Sequence, residues 1–163
     1  MAVVKQNLCM NLLAIYRKDN QTVELYEGNE VRTTDHDLIP TLDYLCRSAG
    51  STLQGRLDAA RELTMTVQNP PFVVAPELAF LTTKSLANDE CMCINAYRIE
   101  KVITHDKVCI VRFDTGEELE LNISRRTFNR LMEDYVTLLC LICYPLYGYE
   151  PKFVSLMKKR EKM

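Results

Sequence analysis

The sequence has no tryptophan and only two histidines. His36 falls at a helix start and His105 in a turn, and neither stands at ligand-like or catalytic spacing from a cysteine or serine. No glycine-rich loop follows a strand, which removes the usual cradle for a nucleotide phosphate. The acids are spread along exposed strand faces rather than paired in apolar surroundings, so general acid–base work has no candidate. These absences together predict no catalytic residues, no enzyme activity, no cofactor and no small-molecule substrate. No apolar run is long enough to span a bilayer and no N-terminal signal segment is present, so the expectation is a cytoplasmic chain without membrane partners.

What is present fits one globular domain over 1–163. At 47% apolar and 26% charged residues the chain can bury a sizeable core, and the composition reads as folded. Seven cysteines in such a chain read as reduced thiols. Cys91-x-Cys93 and Cys140-x-x-Cys143 have zinc-like spacing. Cys140 and Cys143, however, belong to the apolar run around Leu138 to Ile142, so the expectation is buried structural thiols and no metal.

A net charge of −2 argues mildly against a surface that is basic all round, but the charge is unevenly placed. Asp19 to Asp43 holds seven acids and one base, Arg32, whereas Lys152 to Lys162 holds five bases and one acid. The first stretch would repel a polyanion and the second attract it. A mobile basic tail is expected from about residue 152.

Periodicity predicts an α+β chain: antiparallel meanders packed with a helix pair near 36–63 and a longer helix near 125–143. Leu8 to Tyr16, Thr22 to Tyr26 and Glu30 to Thr33 read as three strands turned at Asp19-Asn20 and Gly28-Asn29. Leu38, Leu42, Leu45 and Ala49 share a helix face that Asp35 can cap and Gly50 can end. Asn69-Pro70-Pro71 stops the second helix, and short strands follow at 72–75 and 78–82. Cys93, Tyr97, Ile99 and Ile103 are expected on one strand face, Val108 to Phe113 returns, and Leu119, Leu121 and Ile123 alternate with polar residues. Ser124 can cap a helix whose Phe128, Leu131, Met132, Tyr135, Leu138, Leu139 and Ile142 recur at three and four and which Pro145 ends. One further helical turn is expected at 153–157.

Between the paired helices lies Cys46-Arg47-Ser48-Ala49-Gly50-Ser51-Thr52-Leu53-Gln54-Gly55-Arg56. Ser51 with Gln54 reads as a capping box, and free N–H groups of the second helix would offer an anion a seat beside Arg56. An ordinary helix corner with a surface arginine fits the same residues. Arg125, Arg126 and Arg130 crowd the first turns of the long helix, where the dipole disfavours cations. Either a phosphate or plain solvation accounts for them.

Gly50-Ser51-Thr52 with Gly55-Arg56 and Ala59-Ala60, then Asn69-Pro70-Pro71, Pro76, Phe80-Leu81-Thr82-Thr83 with Ser85, and Glu90-Cys91-Met92-Cys93-Ile94, resembles the competence transcription factor ComK family over roughly residues 40 to 140. Cys93 stands where many relatives carry tryptophan. The resemblance implies a transcription activator that binds paired AT-rich boxes of double-stranded DNA, largely through the minor groove, as a homodimer or higher oligomer. The DNA-binding set expected on that ground is Ser51, Thr52, Arg56, Arg61, Lys84, Arg125 and Arg126. The competing reading is a relative that acts through protein–protein contact alone. A contiguous basic stripe of Arg56, Arg61, Lys84, Arg125 and Arg126 would favour DNA, and its interruption by acids the partner protein.

Overall fold

The computed structural model describes residues 11–142 and Gly148. The expected strand residues 8–10, the end of the long helix at Pro145, the turn at 153–157 and the basic tail lie outside the described residues. Nine strands and three helices follow in the order β1 (Leu12–Lys18), β2 (Gln21–Tyr26), β3 (Glu30–Thr34), α1 (Leu38–Ser48), α2 (Leu53–Thr64), β4 (Phe72–Ala75), β5 (Leu78–Thr82), β6 (Met92–Asn95), β7 (Ile99–His105), β8 (Val108–Phe113), β9 (Glu118–Leu121) and α3 (Arg125–Ile142).

Six strands form one antiparallel sheet in the order β3-β2-β1-β6-β5-β4, and three form a second in the order β7-β8-β9. The continuous apolar runs of β1 and β5 are buried on both faces, as a central layer requires. On one face Leu12, Ile15, Phe72, Phe80 and Cys93 pack against Leu38, Leu42, Leu45, Leu53 and Leu57 of α1 and α2. On the other, Leu13, Val73, Leu81 and Ile94 meet Val111, Phe113 and Leu121 of the second sheet and the apolar face of α3. All seven apolar positions read for α3 are buried, and Tyr135 Oη donates to Ala79 O of β5 at 2.9 Å. Ala60 reaches this second core while Leu53 and Leu57 sit in the first, so α2 joins the two.

Four expectations need correction. The single strand face through Cys93, Tyr97, Ile99 and Ile103 is broken by a 3-10 turn at Ala96–Arg98, where the chain leaves the first sheet for the second. Asp37, not Asp35, caps α1, its Oδ1 accepting the Leu38 N–H at 2.8 Å. Thr52 rather than Ser51 caps α2, its Oγ1 accepting the Gly55 N–H at 3.0 Å, while Gln54 turns to Asp58 instead of reaching back. Cys140 is exposed on the outer side of α3, whereas Cys46, Cys91, Cys93 and Cys109 are buried as expected. Gly50 stops α1 as read: at φ +92° it lets the Ser51 N–H reach back to Cys46 O, a left-handed cap that an L side chain adopts only with strain.

Candidate nucleic-acid interface

An open groove of about 780 Å³ runs between the C-terminal end of α2, the 83–88 segment and the β9–α3 junction. Arg61, Asn69, Lys84, Asn88, Asn122 and Thr127 line it, and none of its other lining residues is a carboxylate. Amides and hydroxyls that donate as well as accept, set among two cations, suit an anionic ligand with hydrogen-bonding edges. Lys84 has no ion-pair partner among the described residues. The ion pair of Arg61 with Asp58 is a long, exposed contact of 3.5 Å, a bond type worth under about 1 kcal/mol and readily exchanged for a phosphate.

The wall of the groove is built by polar clamps. Arg17 donates to Asn88 O at 2.6 Å, to Leu86 O at 2.8 Å and to Asp37 at 2.8 Å, so one guanidinium from β1 ties the 84–90 segment to the start of α1. Asn122 donates to Glu90 O at 2.6 Å, and the Cys91 thiol to Lys84 O at 3.2 Å. The Asn88 side chain accepts the Glu90 N–H at 2.8 Å and shapes its own turn. Opposite, Arg61 Nε donates to Val67 O at 3.4 Å and steadies the loop after α2.

The other expected residues fall elsewhere. The start of α2 offers no empty seat for an anion. Asp43 of α1 accepts the Leu53 N–H at 2.9 Å, Thr52 takes those of Gly55 and Arg56, and Ser51 completes the turn. Bonds from Arg47, then from Leu53, hold the Asp43 carboxyl below its ordinary range. Arg56 points inward rather than along the groove: its Nη2 is 3.5 Å from Val74 O, and its buried Nε has no hydrogen-bond partner. Arg125 is half-buried and committed to Asn129, Val102 O and Thr104. Arg126 and Arg130 are exposed on α3 beside the groove-lining Thr127, with no partner among the described residues. The five-residue stripe therefore divides: Arg61 and Lys84 share the groove, Arg126 flanks it, and Arg56 and Arg125 serve the fold.

Sequence reasoning missed Asn69, Asn88, Asn122 and Thr127. A search for charge passes over amides and hydroxyls, and these four come from three separate segments, Asn122 and Thr127 sharing the β9–α3 junction, that only the tertiary fold brings together. Burial pushes the Cys46 thiol up to about 11, and the hydrogen bond that the Cys93 S–H donates to Cys91, then burial, hold Cys93 well above its ordinary value, while the same bond lowers Cys91. Among the described residues no group of three or more His, Cys, Asp or Glu is placed so that it could hold a metal ion, and none of their helices is long and apolar enough to cross a membrane.

Fold and groove together describe an antiparallel α+β protein with an open groove lined by two cations, amides and hydroxyls. The chain is a member of the ComK protein family, whose model matches residues 2–140, and so extends the resemblance back through the first three strands. It stands on that ground among the DNA-binding regulators of transcription. A similar solved structure is a LytTr DNA-binding domain from Bacillus cereus, 12% identical, with a TM-score of 0.43 over 78% of this chain and 83% of that one. No curated protein matches the chain.

Proposed function

We propose that this regulator reads AT-rich duplex DNA partly through the minor groove and does so with the groove between α2, the 83–88 segment and α3. The observation that carries the reading is the composition of that surface: Arg61 and Lys84 among Asn69, Asn88 and Asn122, with no carboxylate, in a chain whose net charge is −2. Phosphate neutralisation supplies affinity, so local rather than total charge decides. Minor-groove readers use Arg, Lys, Asn and Gln to separate A·T from G·C, and a narrow A-tract groove concentrates negative potential on inserted cations. Arg61, Lys84 and Arg126 are assigned to phosphates or the groove floor, and the amides to base edges. Ser51, Thr52, Arg56 and Arg125 shape the scaffold. Two copies would match the paired boxes that the family resemblance implies.

Titration against AT-rich and GC-rich duplexes at two salt concentrations tests this. Lys84→Ala and Arg61→Ala should each weaken binding to all sequences and flatten the log–log salt slope by about 1, whereas Asn122→Ala should narrow the AT preference by about 1 to 3 kcal/mol. A folded Arg61→Ala/Lys84→Ala double variant with undiminished affinity sinks the assignment and favours a regulator that works through a protein partner.

A further inference from the structure

The loop joining α2 to β4 carries two exposed apolar residues, of which Val67 lines the groove and Met65 stands two residues before it. Met65 is 88% exposed and Val67 79%, and Val67 lines the groove beside Gln68 and Asn69. We propose, on the basis of the DNA-binding reading, that Met65 and Val67 form an apolar wedge that enters between base steps of the bound duplex and kinks it.

Three observations carry the inference. The loop is braced, because an exposed apolar tip works as a wedge only when its backbone does not yield. Thr64 Oγ1 accepts the Thr66 N–H at 3.3 Å, Arg61 Nε donates to Val67 O at 3.4 Å, and the buried Pro70 and Pro71 hold the far end. Second, Met65 closes α2 in the left-handed region, at φ +57°, and Asn69 follows at φ +50°. Glycine or asparagine takes that conformation with least strain, and a long apolar side chain facing water gains nothing from folding there. Strain without a folded-state return points to a use for the side chain. Third, Val67 lines the groove beside cations and amides, with Met65 in the same loop, and no carboxylate is among the lining residues, so an occupant complementary to positive charge with an apolar interior would receive both side chains. Stacked bases behind a phosphate backbone have both properties. Minor-groove proteins insert such apolar side chains beside Arg, Lys, Asn and Gln, and pyrimidine–purine steps of AT-rich DNA yield most readily.

The test uses the full chain and an AT-rich duplex with 2-aminopurine in place of single adenines at TA steps, since the base fluoresces when it loses stacking. Binding of the natural chain should raise the fluorescence several-fold at one step and shorten the end-to-end distance of a doubly labelled duplex. Met65→Asn/Val67→Ser should still bind through Arg61 and Lys84 yet give less than half of both signals. Met65→Asn alone should melt no lower than the natural chain, because asparagine suits the left-handed backbone. That separates a loss of unstacking from a loss of folding. Binding by the natural chain without unstacking, or full unstacking by the double variant, overturns the wedge and leaves the DNA reading standing. Absence of any duplex binding by the natural chain removes both. A double variant that changes the oligomeric state in sedimentation, with unstacking intact, also overturns the wedge and makes the pair a contact between copies.

Discussion

Arg56 shows how a residue's role depends on which side of a helix it occupies. In α2 it lies three residues after Leu53 and one before Leu57, both buried, so its stem starts at the edge of the apolar face and its guanidinium ends against Val74 O. A buried donor left without a partner costs about 1 to 3 kcal/mol, while the aliphatic stem still contributes packing. Methionine keeps the stem and removes the unpaired donor. Arg56→Met should therefore unfold within about 1 kcal/mol of the natural chain in urea, and its affinity for duplex DNA should not change. Tenfold weaker binding by the folded variant would return Arg56 to the interface.

Among the elements, β9 was the most legible. Glu118 to Leu121 pairs with β8 in a register that sets Leu121 opposite Cys109, and the alternation predicted from the sequence sends Leu121 into the core under α3. Leu119 and Ile123 share that side but are only partly covered, because the strand ends at Leu121 and lies at the sheet edge. Leu121→Ala should cost about 2 to 5 kcal/mol in a denaturation experiment, and Glu120→Ala should do little. A loss below about half a kcal/mol would mean that α3 does not cover this strand. The helix caps were harder to place. Asp35 and Asp37, or Ser51 and Thr52, carry equivalent oxygens two or one residues apart, and the choice between them follows from Arg17 and Asp43, which arrive from other elements.

At the scale of the whole molecule the two sheets are latched at one corner. Glu117, buried in the β8–β9 turn, accepts the Gly28 N–H at 2.6 Å from the β2–β3 turn of the other sheet and takes a bond from Thr115. Arg98, in the turn that crosses between sheets, pairs with both Glu27 and Asp114. Burial opposes charge on Glu117, but the bonds from Thr115, Gly28 and Asn29 outweigh it and hold the carboxyl below its ordinary range. A group depressed in the folded state stabilises above its unfolded pKa of about 4.3, and that contribution is lost as pH falls through the folded value. Melting temperature should drop on acidification below about pH 5, and Glu117→Gln should melt lower at neutral pH with a shallower acid limb. An unchanged acid limb would show that the latch does not titrate.

By itself the sequence determined what local periodicity and chain stiffness determine. The seven inward positions of α3, the stop at Gly50, the break at Pro70-Pro71 and the hairpins near Asn20 and Gly28 depend on neighbours a few residues away. The family resemblance rested likewise on residues close in the chain. Tertiary structure alone decided the passage from one sheet to the other at Ala96–Arg98, the inward turn of Arg56 and the commitment of Arg125 to β7. It decided the groove as well. Arg61, Lys84 and Asn122 lie on three separate elements, and their common surface exists only because α2, the 83–88 segment and the β9–α3 junction are packed around the two cores. Local sequence fixes which side of an element is apolar; which polar residues then face one another depends on contacts between elements, and those leave no periodic trace in the chain.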